Sequence, residues 1–139
     1  MRPDTSALLT VALAAALGLS AGCARPAADD GAVCRAYREG RSGVEVTASG
    51  TVRRVLGLRS GPHGTHEGFL LRLDHDCALT VRVESNVGFT GTIPLRRGDP
   101  VIVRGEFDDD GGDAVIHWTH RSFGRHPSGY VIVRGRLYE

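Results

Sequence analysis

Three of the six histidines in this chain, His117, His120 and His126, stand close together around its only tryptophan, Trp118. A neutral imidazole can ligate a metal, move a proton, hydrogen-bond a carbonyl or stack on another ring. Three of them around an open position would suit zinc, whose bound water becomes acidic enough for hydrolysis. His66 is a fourth candidate ligand, and Glu67 or Glu106 could add a carboxylate. Against a metal, the helical H-E-x-x-H spacing is missing. On a flat strand His117 and Thr119 share one face, while Ile116, Trp118 and His120 share the other. His117 and His120 could then meet one ion only if the strand ended between them, as a turn beginning at Thr119 would allow. The plainer role is hydrogen bonding to loop backbones at the end of the fold. Between these lies a ligand-binding patch made of the histidines, Trp118 and arginines.

The elements that must position these rings are strands. Val44, Val46, Ala48, Gly50 and Val52 alternate with polar residues, the signature of a strand with one wet face. The alternation slips at Arg53-Arg54, which predicts a bulge or bend. Residues 57–64, rich in Gly with one Pro, read as a loop. Alternation then predicts strands over 69–73, 79–83, 101–107 and 114–119, with a last strand over 130–134. Residues 85–97 carry no helical period and read as loop or a single turn. The acidic Gly-Gly stretch 108–113 reads as a hairpin loop. Ahead of the first strand, Asp29 or Asp30 could cap a short helix over 32–39, with Val33, Ala36 and Tyr37 on one side. The expected fold is all-β: a small OB-like barrel of five or six strands with a short N-terminal helix, or alternatively a small β-sandwich.

Residues 7–19 form an uncharged apolar run, short of the about 20 residues that span a bilayer. They suit a secretory signal. Small residues lead into Cys23, and together these resemble a bacterial lipobox, although Ser20 stands where a leucine is usual. The expected organisation is a lipoprotein-type signal peptide over 1–22, a flexible tether over 23–31 beginning at the lipidated Cys23, and one folded domain over 32–139. The expected location is the cell envelope, membrane-anchored through that lipid alone; ordinary cleavage nearby would give a periplasmic or secreted soluble protein. Export leaves Cys34 and Cys77 in an oxidising compartment, where a pair is more often a disulfide than a metal site. Such a bond is worth up to about 4 kcal/mol in the chain-entropy treatment.

Net charge is +1, and all 17 basic residues are arginine. No global field draws the chain to nucleic acid, which is not expected as a partner. Arg53, Arg72, Arg82 and Arg104 fall at outward positions, but without an aromatic to stack a base they read as a solvated face. Asp108, Asp109, Asp110 and Asp113 lack the spacing of a calcium loop and read as a solvated turn.

The ordered motifs His66-Glu67-Gly68-Phe69, Asn86, Gly98-Asp99, Gly105-Glu106-Phe107, Gly111-Gly112, Ile116-His117-Trp118-Thr119-His120 and Gly124-Arg125-His126 with Gly129 resemble a bacterial exported family of unknown function. Its members carry H-x-x-F, G-E-Y/F, G-G-V-I-H-W-T-H and G-x-H-x-x-G. The likeness spans roughly residues 46–138. It implies an OB-like barrel in an exported protein, and no activity. Two places depart from the family. Ser85-Asn86 stands where it has His-Asn, and Arg121-Ser122-Phe123 stands, one residue shorter, where it has His-Asp-Pro.

These readings favour a non-enzymatic ligand-binding or accessory module of the envelope, with His66, Asn86, His117, Trp118, His120 and His126 as its binding end. Its partner would be a ligand or another envelope protein, and no cofactor is expected. The rival is a metal-dependent hydrolase, with phosphodiesters as a candidate substrate class, holding zinc with His66, His117, His120 and His126. A purely structural envelope protein is the third reading.

Overall fold

A computed structural model describes residues 24–139. The signal peptide and the Cys23 lipidation site expected from the sequence lie outside the described residues. Helix α1 (Asp30–Arg38) is followed by β1 (Val44–Gly61), β2 (Gly64–Leu73), β3 (Thr80–Asn86), the single turn α2 (Val87–Thr90), β4 (Pro100–Asp110), β5 (Asp113–His117), β6 (Tyr130–Val133) and β7 (Arg136–Tyr138). Half of the described residues are strand in one seven-stranded sheet, and five strands close on themselves in the order β1-β2-β3-β5-β4 and back to β1. The β3–β5 pairing is parallel and the other pairings are antiparallel. The small closed all-β architecture with a short N-terminal helix is as the alternation predicts.

Closure depends on β1, which pairs with β4 over its first half and with β2 over its second. The handover falls at Gly50, opposite both Leu73 and Val101. A Cβ there would collide with the Arg72 carbonyl and lie 2.8 Å from Leu71 Cγ, so only glycine fits. Beyond it, the register shifts between Val52 and Arg54 and again between Val55 and Gly57. The first shift is the slip read at Arg53-Arg54; bulges of this kind bend a strand and raise its twist.

Inward residues of the ring build the core: Phe69, Leu71, Val81, Val83, Val103, Phe107 and Ile116 are fully buried. Each contributes roughly 1.5–3 kcal/mol of burial relative to exposure. Helix α1 covers one end. Asp29 caps it by accepting from Ala32 N at 2.9 Å, which starts the helix at Asp30, ahead of the expected residue 32. Val33, Cys34 and Ala36 are buried, whereas Tyr37 turns outward and donates its hydroxyl to the Gly112 carbonyl. Asp30 is also buried. Its carboxylate accepts from Ser49 N, Ser49 Oγ and His75 N, tying the helix to β1 and to the β2–β3 turn. The Cys34–Cys77 disulfide staples the same junction.

Four elements differ from expectation. The hairpin loop read over 108–113 narrows to Gly111-Gly112, because Asp108, Asp109 and Asp110 continue β4 and pair with Val115, Ala114 and Asp113 of β5. Residues 57–61 continue β1 instead of forming a loop, because they pair with the first half of β2 in a hairpin that turns at Pro62-His63. That arm projects past the core, so Leu56 and Leu58 are exposed and the inside–outside alternation fades. The fifth strand stops at His117, not Thr119, because Trp118 takes a left-handed backbone at φ 56°. A final strand, β7, pairs with β6 after a turn at Arg134-Gly135.

Two outcomes follow from this construction. Thiol labelling of the unfolded, unreduced protein should find Cys34 and Cys77 unreactive; a reactive thiol at either would contradict the staple. The substitution Gly50→Ala should cost about 1–3 kcal/mol in urea unfolding through overpacking at the handover, and an unchanged midpoint would contradict the role given to that residue.

Candidate functional site

The histidine-bearing loop owes its position to β4. Along one edge of that strand, β5 pairs with residues 106–110 and β6 with residues 101–104. Residues 118–129 therefore leave β5 and rejoin the sheet at the same point, opposite Gly105. Two glycines make the crossing possible. A Cβ on Gly105 would strike the His117 carbonyl, and one on Gly129 would strike the carbonyls of Trp118 and Arg104. Gly129 N donates to the His120 carbonyl at 2.8 Å, closing the loop at its neck. Thr119, fully buried, donates its hydroxyl to the Glu84 carbonyl on β3 at 3.1 Å.

The left-handed Trp118 breaks the strand's alternation, and that break lets the rings converge. His117 and Trp118 lie with ring centroids 5.6 Å apart, and Trp118 and His120 lie 6.0 Å apart. His126 returns from the far side of the loop to sit 4.7 Å from both Trp118 and His120, edge-on to the latter. Phe89 of α2 stacks on His120 at 4.3 Å, and Phe123 lies 5.3 Å from Phe89. Phe89, His117, Trp118 and His120 border a cleft of about 500 Å³, whose walls also include His66, Glu84 and Asn86. A smaller recess of about 300 Å³ beneath the β1–β2 arm shares His66 and Glu84 with it.

Of the six candidate residues from sequence, five line this cleft, and His126 packs against two of them. Asn86, His120 and His126 are held by hydrogen bonds of their own. Asn86 caps α2 by accepting from Gly88 N and donates to the His63 carbonyl, so it holds the arm's tip against the helix. His120 Nδ1 lies 2.8 Å from the Arg121 carbonyl and His126 Nδ1 lies 2.7 Å from the Pro127 carbonyl. A carbonyl only accepts, so each Nδ1 is the donor and Nε2 carries the lone pair of the neutral ring. His117 turns the other way, toward Asp108 and Glu106 on β4.

Sequence reading assigned nothing to His63, which lines the cleft from the arm's turn, and overlooked Phe89 and Glu84. Phe89 was the detectable one, being a large apolar residue in a stretch with no pattern to bury it; its side chain is 49% exposed. Glu67 points into the core, where it is buried and accepts from Ile93 N at 2.8 Å. Burial pushes its carboxyl above the ordinary range, partly offset by that hydrogen bond. Arg82 is tied to Glu84 and Asp110, and Arg104 to Thr47 and Glu45. In the acidic hairpin, Asp108 accepts from Gly43 N and Asp109 from Gly112 N.

His120 titrates low. Burial disfavours its charged form, the bond to the Arg121 carbonyl opposes this, and the nearby His126 and His66 reinforce it. Between the ordinary histidine value of about 6.5 and the lower folded value, the folded protein binds fewer protons than the unfolded chain. Stability contributed by the neutral ring is thus complete above that ordinary value and is lost as pH falls below it. Urea midpoints measured from neutral pH down to mildly acid should decline in the parent and decline less in His120→Asn. Identical slopes would contradict this account of the ring.

No curated protein matched the chain. A family described as "Protein of unknown function (DUF3465)" matches residues 15–139, which spans the whole ring and the loop just described. The chain therefore belongs to the DUF3465 family.

Proposed function

We propose that this protein is a small-ligand-binding module of the bacterial cell envelope, exported, anchored by a lipid on Cys23 and built on an OB-like barrel. The observation that carries the reading is the convergence of His66, His117, Trp118, His120 and Phe89 on one cleft at the end of the ring. Clefts of a few hundred cubic ångströms with aromatic walls and few polar groups are where small molecules bind. Closed rings of this type present ligands to their loops and strand ends. The Cys34–Cys77 bond fits an oxidising compartment.

The chemistry of the walls narrows the ligand. Trp118 and Phe89 offer exposed ring faces for stacking. His120, held neutral, offers an Nε2 lone pair as acceptor. A ring-bearing, uncharged or weakly charged molecule such as an amino sugar fits these groups better than a polyanion, since Glu84 shares the wall. Binding fits better than hydrolysis. The hydroxyl of Ser85 on the adjoining strand is buried and bonded to Thr90 instead of facing the cleft.

Calorimetric titration of the protein with soluble fragments of envelope glycan tests the reading. Saturable binding is expected, weakened about threefold to tenfold by Trp118→Ala, the loss of one stacking contact, with little change in thermal stability. Absence of binding across such fragments, or binding indifferent to both Trp118→Ala and His66→Ala, would contradict it.

A further inference from the structure

Outside the cleft, on the outer face of the sheet, the strand registers assemble a second set of chemical groups. Glu45 on β1 is opposite Glu106 on β4, and Glu106 is opposite His117 on β5. Asp108 lies two residues beyond Glu106 on the same strand, hence on the same face. His117 Nε2 stands 2.6 Å from Asp108 Oδ2 and 3.6 Å from Glu106 Oε1, and these three donor atoms all lie within 4.8 Å of one another.

An ordinary ion pair does not account for this geometry. Nε2 of His117 is shut off from solvent and makes no hydrogen bond, although a carboxylate oxygen is 2.6 Å away. The oxygen lies off the line that an N–H would take. Both carboxylate oxygens of Glu45 are likewise shut off and without a hydrogen-bond partner, with the Arg104 guanidinium 3.7 Å away. Three electron-rich groups and a fourth beside them thus face each other with no proton shared along a bond.

We infer that His117, Glu106 and Asp108 form a binding site for a zinc-class divalent metal ion, with Glu45 as the adjacent carboxylate. One imidazole with carboxylate oxygens is a donor set that such ions accept. Tetrahedral zinc with bonds of 2.0–2.2 Å sets its ligand atoms roughly 3.4 Å apart, so closing on an ion asks Asp108 to move by roughly 0.8 Å. The Gly43 N–H holds Asp108 Oδ1 at 2.8 Å and leaves Oδ2 as the ligand, the kind of outer contact that orients metal ligands. Two or three carboxylates neutralise the ion's charge. A surface hollow of about 370 Å³ bordered by Ser42, Asp108 and His117 gives it a way in. The site lies back to back with the cleft through His117, and it stands whether or not the cleft binds an organic ligand.

The test uses full-length protein purified without a histidine tag, stripped with chelator and titrated with Zn²⁺ and Co²⁺. Expected is one equivalent of metal, a rise in melting temperature reversed by chelator, and visible Co²⁺ bands of a nitrogen- and oxygen-ligated ion. His117→Ala should lower the affinity by about tenfold or more, whereas His120→Asn and His126→Ala should leave it near the parent value. Should His117→Ala not fold, Glu106→Gln and Asp108→Asn preserve shape and carry the same expectation. No binding by folded protein would overturn the site. So would binding that survives loss of His117, Glu106 and Asp108 but fails in the His120 or His126 variants.

Discussion

One edge of β4 governs this molecule. It takes β5 along its second half and β6 along its first, and the break between them falls at Gly105. A chain that must leave and return at a single point has to loop, and the loop has to begin with a residue that turns sharply. Trp118 makes that turn in a left-handed backbone, a costly conformation for a bulky side chain. Buried Thr119, anchored to the Glu84 carbonyl, and the Gly129–His120 bond hold it in place. Strain of about 1–3 kcal/mol is tolerable when the surroundings fix it so firmly. Its result is that the Trp118 ring stands 5.6 Å from the His117 ring instead of alternating away from it.

That edge exists only because the sheet closes. With β1 shared between β2 and β4 at Gly50, five strands form a ring in which the β3–β5 parallel pairing sits beside the loop. This end of the ring then carries two chemically different surfaces that meet at His117. On one side are stacked rings around a cleft; on the other are carboxylates from β1 and β4. The end carrying α1 is held by a buried carboxylate and a disulfide instead, and serves to brace. The candidate site sits where the backbone is strained, and cohesion where it is stapled.

How much of this could be read from the residues varies with the kind of interaction. Alternating valines gave away the ring strands, because an inside–outside face has period two, and the Arg53-Arg54 slip marked the real bulge. Asp29 signalled the helix cap and the two cysteines their bond. The β1–β2 arm was hidden because strands exposed on both faces have no alternation to display. The stop at His117 was hidden because nothing in a Trp side chain announces a left-handed backbone; only the tertiary crossing imposes it. The sequence reading left Asp108 in a hairpin loop beyond the strand that carries Glu106, and Glu67 was a carboxylate of equal standing in the sequence. Only the register between β4 and β5 brought Glu106 to His117, while Glu67 on β2 turned into the core to accept from Ile93 N.

The central claim is that the rings of one loop and one short helix turn share a single space at the end of a closed sheet. Proton NMR of the folded protein reports this most directly. Cross-relaxation is expected between the Trp118 indole and the His126 ring, and between the His120 ring and Phe89, with no ligand or metal added. A well-folded spectrum in which those pairs show no contact would contradict it.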